Sequence, residues 1–177
     1  MKQSIVVLVL AAFLTLSTGC SKSDETPVST EVVTVENGVI APNITIGEPL
    51  KNATFTDQFD KEHAVGGADK VIFAFKKDMG HIVTDLLKSK PDDYLSSRNI
   101  FFVADMSKMP SLIYKMAVLP DLEDLNYPIL TILDEEKGAG YINDKEGNRI
   151  MVVDLDGGKV SKVTFLATTE ALVKEIE

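Results

Sequence analysis

The chain has 177 residues, 45% of them hydrophobic and 25% charged, and a formal net charge of −9. That length suits one domain plus appendages, and the apolar share is enough for a real core. The excess of acid repels nucleic acid and anionic lipid, and no block of basic residues overrides it.

The first twenty residues differ from the rest. Lys2 gives a short basic start, an apolar run extends from Ile5 to Leu16, and Ser17, Thr18, Gly19 and Cys20 follow. This is the pattern of a secretory signal, too short to cross a bilayer as a helix. The ending from Leu16 to Cys20 resembles the lipobox of bacterial lipoproteins, with the leucine one step earlier than usual. The resemblance implies cleavage before Cys20, diacylglycerol on its sulfur and a fatty acyl chain such as palmitate on its new amino group. Ser21 follows the cysteine where enterobacterial sorting uses Asp to retain a lipoprotein in the inner membrane. The expected address is therefore the bacterial cell envelope, lipid-anchored at the outer membrane and facing the periplasm.

Cleavage removes only Lys2 from the charge count, which leaves 17 basic against 27 acidic residues. A domain that acidic needs the lipid, not a basic surface, to hold it at a membrane. Cys20 is the one cysteine. Once it is lipidated no thiol remains, which excludes disulfides, CxxC chemistry, peroxide reduction by cysteine and thiolate metal sites. The expected division is a signal peptide over 1–19, a lipidated cysteine and flexible tether over 20–30, and a folded domain over 31–177. The tether reads SKSDETPVST, too polar to order itself.

In the domain, residues 31–36 (EVVTVE) alternate as a strand. Asn37 and Gly38 then signal a hairpin turn into Val39 and Ile40. Residues 53–56 and 62–65 read as two short strands joined by a turn. Residues 71–75 (VIFAF) are apolar without alternation, as in a strand buried on both faces. Residues 76–80 read as a polar turn, with Asp78 placed to cap the helix expected from His81 to Lys88. Strands follow at 99–104 (NIFFVA) and 129–133 (ILTIL). Between them lies a helix over 111–118, with Ser111 or Asp105 as candidate cap. Residues 135–141 read as a short helix or loop. Residues 150–155 and 159–165 form a hairpin about Asp156, Gly157 and Gly158. Thr168 or Thr169 caps a last helix ending at Ile176.

Strands alternating with helices predict an α/β sheet. The order resembles the thioredoxin superfamily in its peroxiredoxin-like and TlpA-like branch. The likeness rests on FTDQFDKEH (55–63), VIFAF leading into a helix, DLDGGKV (154–160) and the final helix. It implies a three-layer α/β/α sandwich with a mixed central sheet and an N-terminal β-hairpin. In that family a cysteine sits at the start of the first helix, and a cis-proline faces it before the penultimate strand. Here the first place holds Lys76, Lys77, Asp78, Met79, Gly80 and His81, and the second falls at Asn148 and Arg149.

The same turn is the best candidate site. A helix start offers unpaired N–H groups and partial positive charge, Lys76 and Lys77 add cations, and Arg149 should approach from the neighbouring loop. Other constellations are thin. His81 with Asp85 supplies two ligands of the three or four a metal needs. Met106, Met109 and Met116 read as flexible core filler before they read as copper ligands. Asp154 and Asp156 lack the closing acid of a calcium loop. No dinucleotide, P-loop, nucleophile-elbow or zinc-protease motif occurs, so no cofactor and no metal are expected. The expected function is a lipid-anchored, redox-inactive binding or assembly module whose partners are the membrane and an envelope protein. The alternative is a non-thiol enzyme or metal-handling protein built on the Lys76–His81 turn.

Overall fold

A computed structural model describes residues 32–177. The expected signal peptide, the expected lipidation site at Cys20 and the expected tether lie outside the described residues. The elements are β1 (Val33–Val35), β2 (Val39–Ala41), β3 (Ile44–Thr45), β4 (Thr54–Asp57), β5 (Glu62–Ala64), β6 (Lys70–Ala74) and α1 (Lys77–Lys88). They continue with β7 (Ile100–Asp105), α2 (Ser111–Ile113), a π-helical turn (Tyr114–Val118), α3 (Leu119–Glu123) and β8 (Leu130–Ile132). Last come α4 (Glu135–Ala139), β9 (Ile150–Asp156), β10 (Lys159–Leu166) and α5 (Thr169–Ile176).

Eight strands form one mixed sheet in the order β1-β10-β9-β6-β7-β8-β4-β5. β6, β7 and β8 are parallel, and β9 joins β6 antiparallel. β6 is central and buried on both faces. Val71 and Phe73 enter one core while Ile72 and Ala74 enter the other. This two-sided burial is why the segment lacks alternation.

One face is covered by α1, the α2–α3 segment and α5. Met79, Val83, Leu86 and Leu87 of α1 and Leu172 and Ile176 of α5 form the buried stripes. α5 starts as its sequence dictates, with the Thr168 side chain accepting from the Ala171 N–H at 3.2 Å. The other face is covered by β2, β3 and the segment carrying α4. Here Tyr141 packs against Phe73 and Phe55, with ring centroids 5.2 and 5.3 Å apart. Its hydroxyl donates towards the carbonyls of Lys51 and Asn52, so the largest ring in this core also ties down the chain above it. The architecture is α/β, with a mixed central sheet between layers that contain helices.

Three local expectations are corrected. β1 and β2 do not form a hairpin: β1 pairs with β10, Val33 opposite Phe165, and β2 pairs with β3. Gly38 does take a left-handed φ of 90°, but the turn there redirects the chain onto the sheet face instead of folding it back. α1 starts at Lys77, one turn before the expected His81, because Met79 lies one turn before Val83 and extends its buried stripe. The helix over 111–118 is a composite running to Glu123, with a π turn in the middle. Pro110, not Ser111 or Asp105, holds the cap position, and no side chain caps it.

Candidate functional site

β6, β7 and β8 end at one edge of the sheet, and β9 begins there, with Ala74 opposite Ile150. In open α/β sheets this edge is where ligands meet the fold. The start of α1 and Arg149 both belong to it, because Arg149 immediately precedes Ile150 and so lies next to the chain leaving β6.

The side chains of this edge do not converge. Lys76 is extended (φ −130°, ψ 147°) and holds the N-cap position without a side-chain hydrogen bond. Asp78 lies in the first turn and does not cap it. Lys76, Lys77, Asp78 and His81 are exposed. Met79 is turned into the core, and Gly80 is an ordinary helical residue whose N–H donates to the Lys76 carbonyl at 3.0 Å. Arg149 is mostly covered, its side chain 12% exposed, and its Nε donates to Glu146 Oε2 at 3.1 Å. The guanidinium thus has an anionic partner within its own loop. The helix start offers N–H groups and exposed ammonium groups to a partner in solution, not an enclosed pocket.

The peptide bonds here are trans, and no cis bond occurs among the described residues. Among those residues, no three His, Cys, Asp or Glu side chains gather as a metal site. His63 and His81 stand apart, His63 on β5 and His81 on α1.

Beside this edge lies an open polar groove of about 820 Å³ that sequence reasoning missed. Asn43, Asn52, Thr54 and Glu62 line one side, and Asp134, Glu136 and Lys137 the other. Lys137 extends across it: its ammonium donates to the Thr54 carbonyl and sits 4.5 Å from the centre of the Phe55 ring. Burial holds its pKa below the usual lysine value, with Glu62 and Asp134 opposing that shift. An ammonium so engaged fastens α4 to β4 and is not free to act as a nucleophile.

A second missed feature is the Asp57–His63 pair on the β4–β5 hairpin. Asp57 Oδ2 accepts from His63 Nε2 at 2.7 Å, while Oδ1 accepts from the N–H groups of Phe59 and Lys61 at 2.8 and 3.0 Å. Burial alone raises this carboxyl's pKa. The bond from His63 and the two backbone donors outweigh it and hold the group below its ordinary value. The Asp-to-His spacing of six was visible in the sequence, but only the hairpin register brings the two together.

No family model matches the chain, and no curated protein matches it significantly. Among solved structures, it is similar to a peroxiredoxin-like protein from Aquifex aeolicus at 14% identity and a TM-score of 0.47, over 81% of this chain and 96% of that one. It is also similar to a candidate protein disulfide isomerase from Bacteroides thetaiotaomicron at 18% identity and a TM-score of 0.49, over 78% and 89%. A SCO1/SenC family lipoprotein from Bacillus anthracis is a third, at 14% identity and a TM-score of 0.42, over 70% and 89%. At such identities any likeness concerns the fold alone, and the names describe those proteins only.

Proposed function

We propose that this chain is a lipid-anchored cell-envelope protein whose thioredoxin-like domain acts as a binding or assembly module without thiol redox chemistry. One observation carries the reading. The edge where such a fold would place its reactive cysteine holds Lys76, Lys77 and Asp78 in solvent and Met79 in the core, and residues 32–177 contain no cysteine. A thioether buried among apolar side chains forms no thiolate. The lipobox-like ending at Cys20 supports the anchor, and the exposed Lys76–His81 turn beside Arg149 is the proposed binding surface.

The test has three arms, the first in exporting cells. Wild-type chain should fractionate with membranes, and the Cys20→Ala variant, once residues 1–19 are removed, should leave them. The purified full chain should neither reduce insulin disulfides nor consume peroxide. A photo-crosslinking residue at position 77 should give discrete adducts with envelope protein or lipid. Membrane retention of a Cys20→Ala chain from which residues 1–19 have been removed, or thiol-dependent turnover, contradicts the reading.

A further inference from the structure

The anchor enters the domain at the same sheet edge that carries the candidate surface. β1 pairs with β10 so that Val33 lies opposite Phe165, and the next β10 residue, Leu166, lies opposite Ile150. Ile150 in turn lies opposite Ala74, the last residue of β6. Val32 therefore stands at the edge where α1 begins.

Two independent features distinguish that edge. The first is apolar exposure. Of the seven large hydrophobic side chains exposed among the described residues, five belong to segments that leave or enter the sheet here: Val32, Leu112, Ile113, Met116 and Leu133. Leu112 and Met116 are 65% and 72% exposed, and the helix carrying them contains a π turn, an irregularity enriched at functional positions. Val39 and Phe59 lie elsewhere.

The second feature is charge. The connecting segments 76–81, 106–118, 133–149 and 167–170 at this edge carry seven basic and seven acidic residues. Those towards the opposite end, 89–99, 119–129 and 156–158, carry two basic and six acidic. An acidic chain thus presents one near-neutral, partly apolar end, with Lys76 and Lys77 upon it.

We infer that this end lies against the lipid bilayer, with Leu112, Ile113 and Met116 inserted at the headgroup level. The inference rests on the anchored reading above. Eleven residues separate Cys20 from Val32, and they reach at most about 40 Å when fully extended. A domain of this size has a radius of gyration of about 15 Å. Turning the opposite end to the membrane would require nearly the whole tether to run taut along the domain. The acidic end is also repelled by an anionic surface, which favours the same orientation. Exposed apolar side chains beside neutral or cationic groups are the composition of shallow interfacial contact.

The test uses the full, exported and lipid-modified chain in vesicles of phosphatidylethanolamine and phosphatidylglycerol. With Cys20 consumed, an environment-sensitive dye is attached at Ile113→Cys or, at the acidic end, at Asp92→Cys. The inference expects a blue-shifted emission at position 113 that is lost to quenching by spin-labelled lipid, and neither effect at position 92. Vesicle-bound protein with both dyes in water overturns the orientation and leaves the anchor standing. Protein that fails to float with the vesicles overturns the anchor, and this inference with it.

Discussion

The His63 imidazole and the Asp57 carboxylate meet at 2.7 Å across the β4–β5 turn, and the carboxylate is only 4% exposed. Together with the N–H groups of Phe59 and Lys61, His63 gives Asp57 three donors, which makes its ionised form part of the fold. Its folded pKa is depressed, so its contribution is present above the unfolded value of about 4 and is lost as pH falls through the lower folded value. Asp57→Asn should therefore flatten the acid limb of stability against pH. At neutral pH it should cost about 2–3 kcal/mol, as expected for lost charge-assisted bonds to a buried group. Denaturant unfolding followed over a pH series reads both effects.

Gln58, the next residue, is buried and links three positions distant in sequence. Its Nε2 donates to the carbonyls of Leu122 and Tyr127 at 3.1 and 2.9 Å, and its Oε1 accepts from the Ile129 N–H at 2.8 Å. Gln58→Ala strands the Tyr127 carbonyl and the Ile129 N–H, while the Leu122 carbonyl keeps the Leu125 N–H, and should cost about 2–3 kcal/mol. Hydrogen exchange should show the loss first at Ile129, where β8 is entered.

Two glycines make opposite predictions. A Cβ at Gly140 would stand 2.2 Å from Asn43 Nδ2 and 3.1 Å from the Lys137 carbonyl, so Gly140→Ala must turn the Asn43 side chain aside and crowd the helix end, and should cost about 1 kcal/mol. A Cβ at Gly80 meets nothing within 4 Å, and the position is helical. Gly80→Ala should stabilise the chain by about 0.5–1 kcal/mol through helix propensity and a less flexible unfolded state. Thermal unfolding of the two variants decides the signs.

α5 is clasped to the sheet by Lys70, Asp154, Lys162 and Glu175. Lys162 Nζ donates to Glu175 at 2.6 Å and lies 3.4 Å from Asp154, while Lys70 pairs with Asp154. The bond to Glu175 is the main cause that raises the Lys162 pKa, against the opposing effect of burial. That contribution is full below the unfolded lysine value and fades as pH rises through the higher folded one. Glu175→Gln should lower stability by about 1 kcal/mol at neutral pH, a modest figure because the pair is partly solvated. The same change should shrink the stability lost between neutral and strongly alkaline solution.

The sequence was most legible where structure is local or burial is extreme. VIFAF and NIFFVA announced themselves because both faces are covered, and Thr168 and the Asp156–Gly158 turn because capping and turn chemistry act within a few residues. The failures were non-local. Asn37 and Gly38 carry a strong hairpin signal, yet the pairing of β1 is decided by Phe165 and Val163, some 130 residues away, whose edge it covers. The candidate turn proved to be the first turn of α1, and neither Asp78 leaving the cap position nor Arg149 turning to Glu146 could be seen. Both outcomes depend on where α1 begins and how the 143–149 loop closes, which no local pattern encodes.

The proposed function requires Cys20 to be spent on the anchor and the domain to work without sulfur chemistry. Intact-mass analysis of the exported chain, combined with thiol titration under denaturing conditions, tests it most directly. The expected result is a chain that begins at Cys20, carries the added mass of diacylglycerol and an acyl group, and has no titratable thiol. A chain with one free thiol, or one that begins elsewhere without lipid mass, contradicts it.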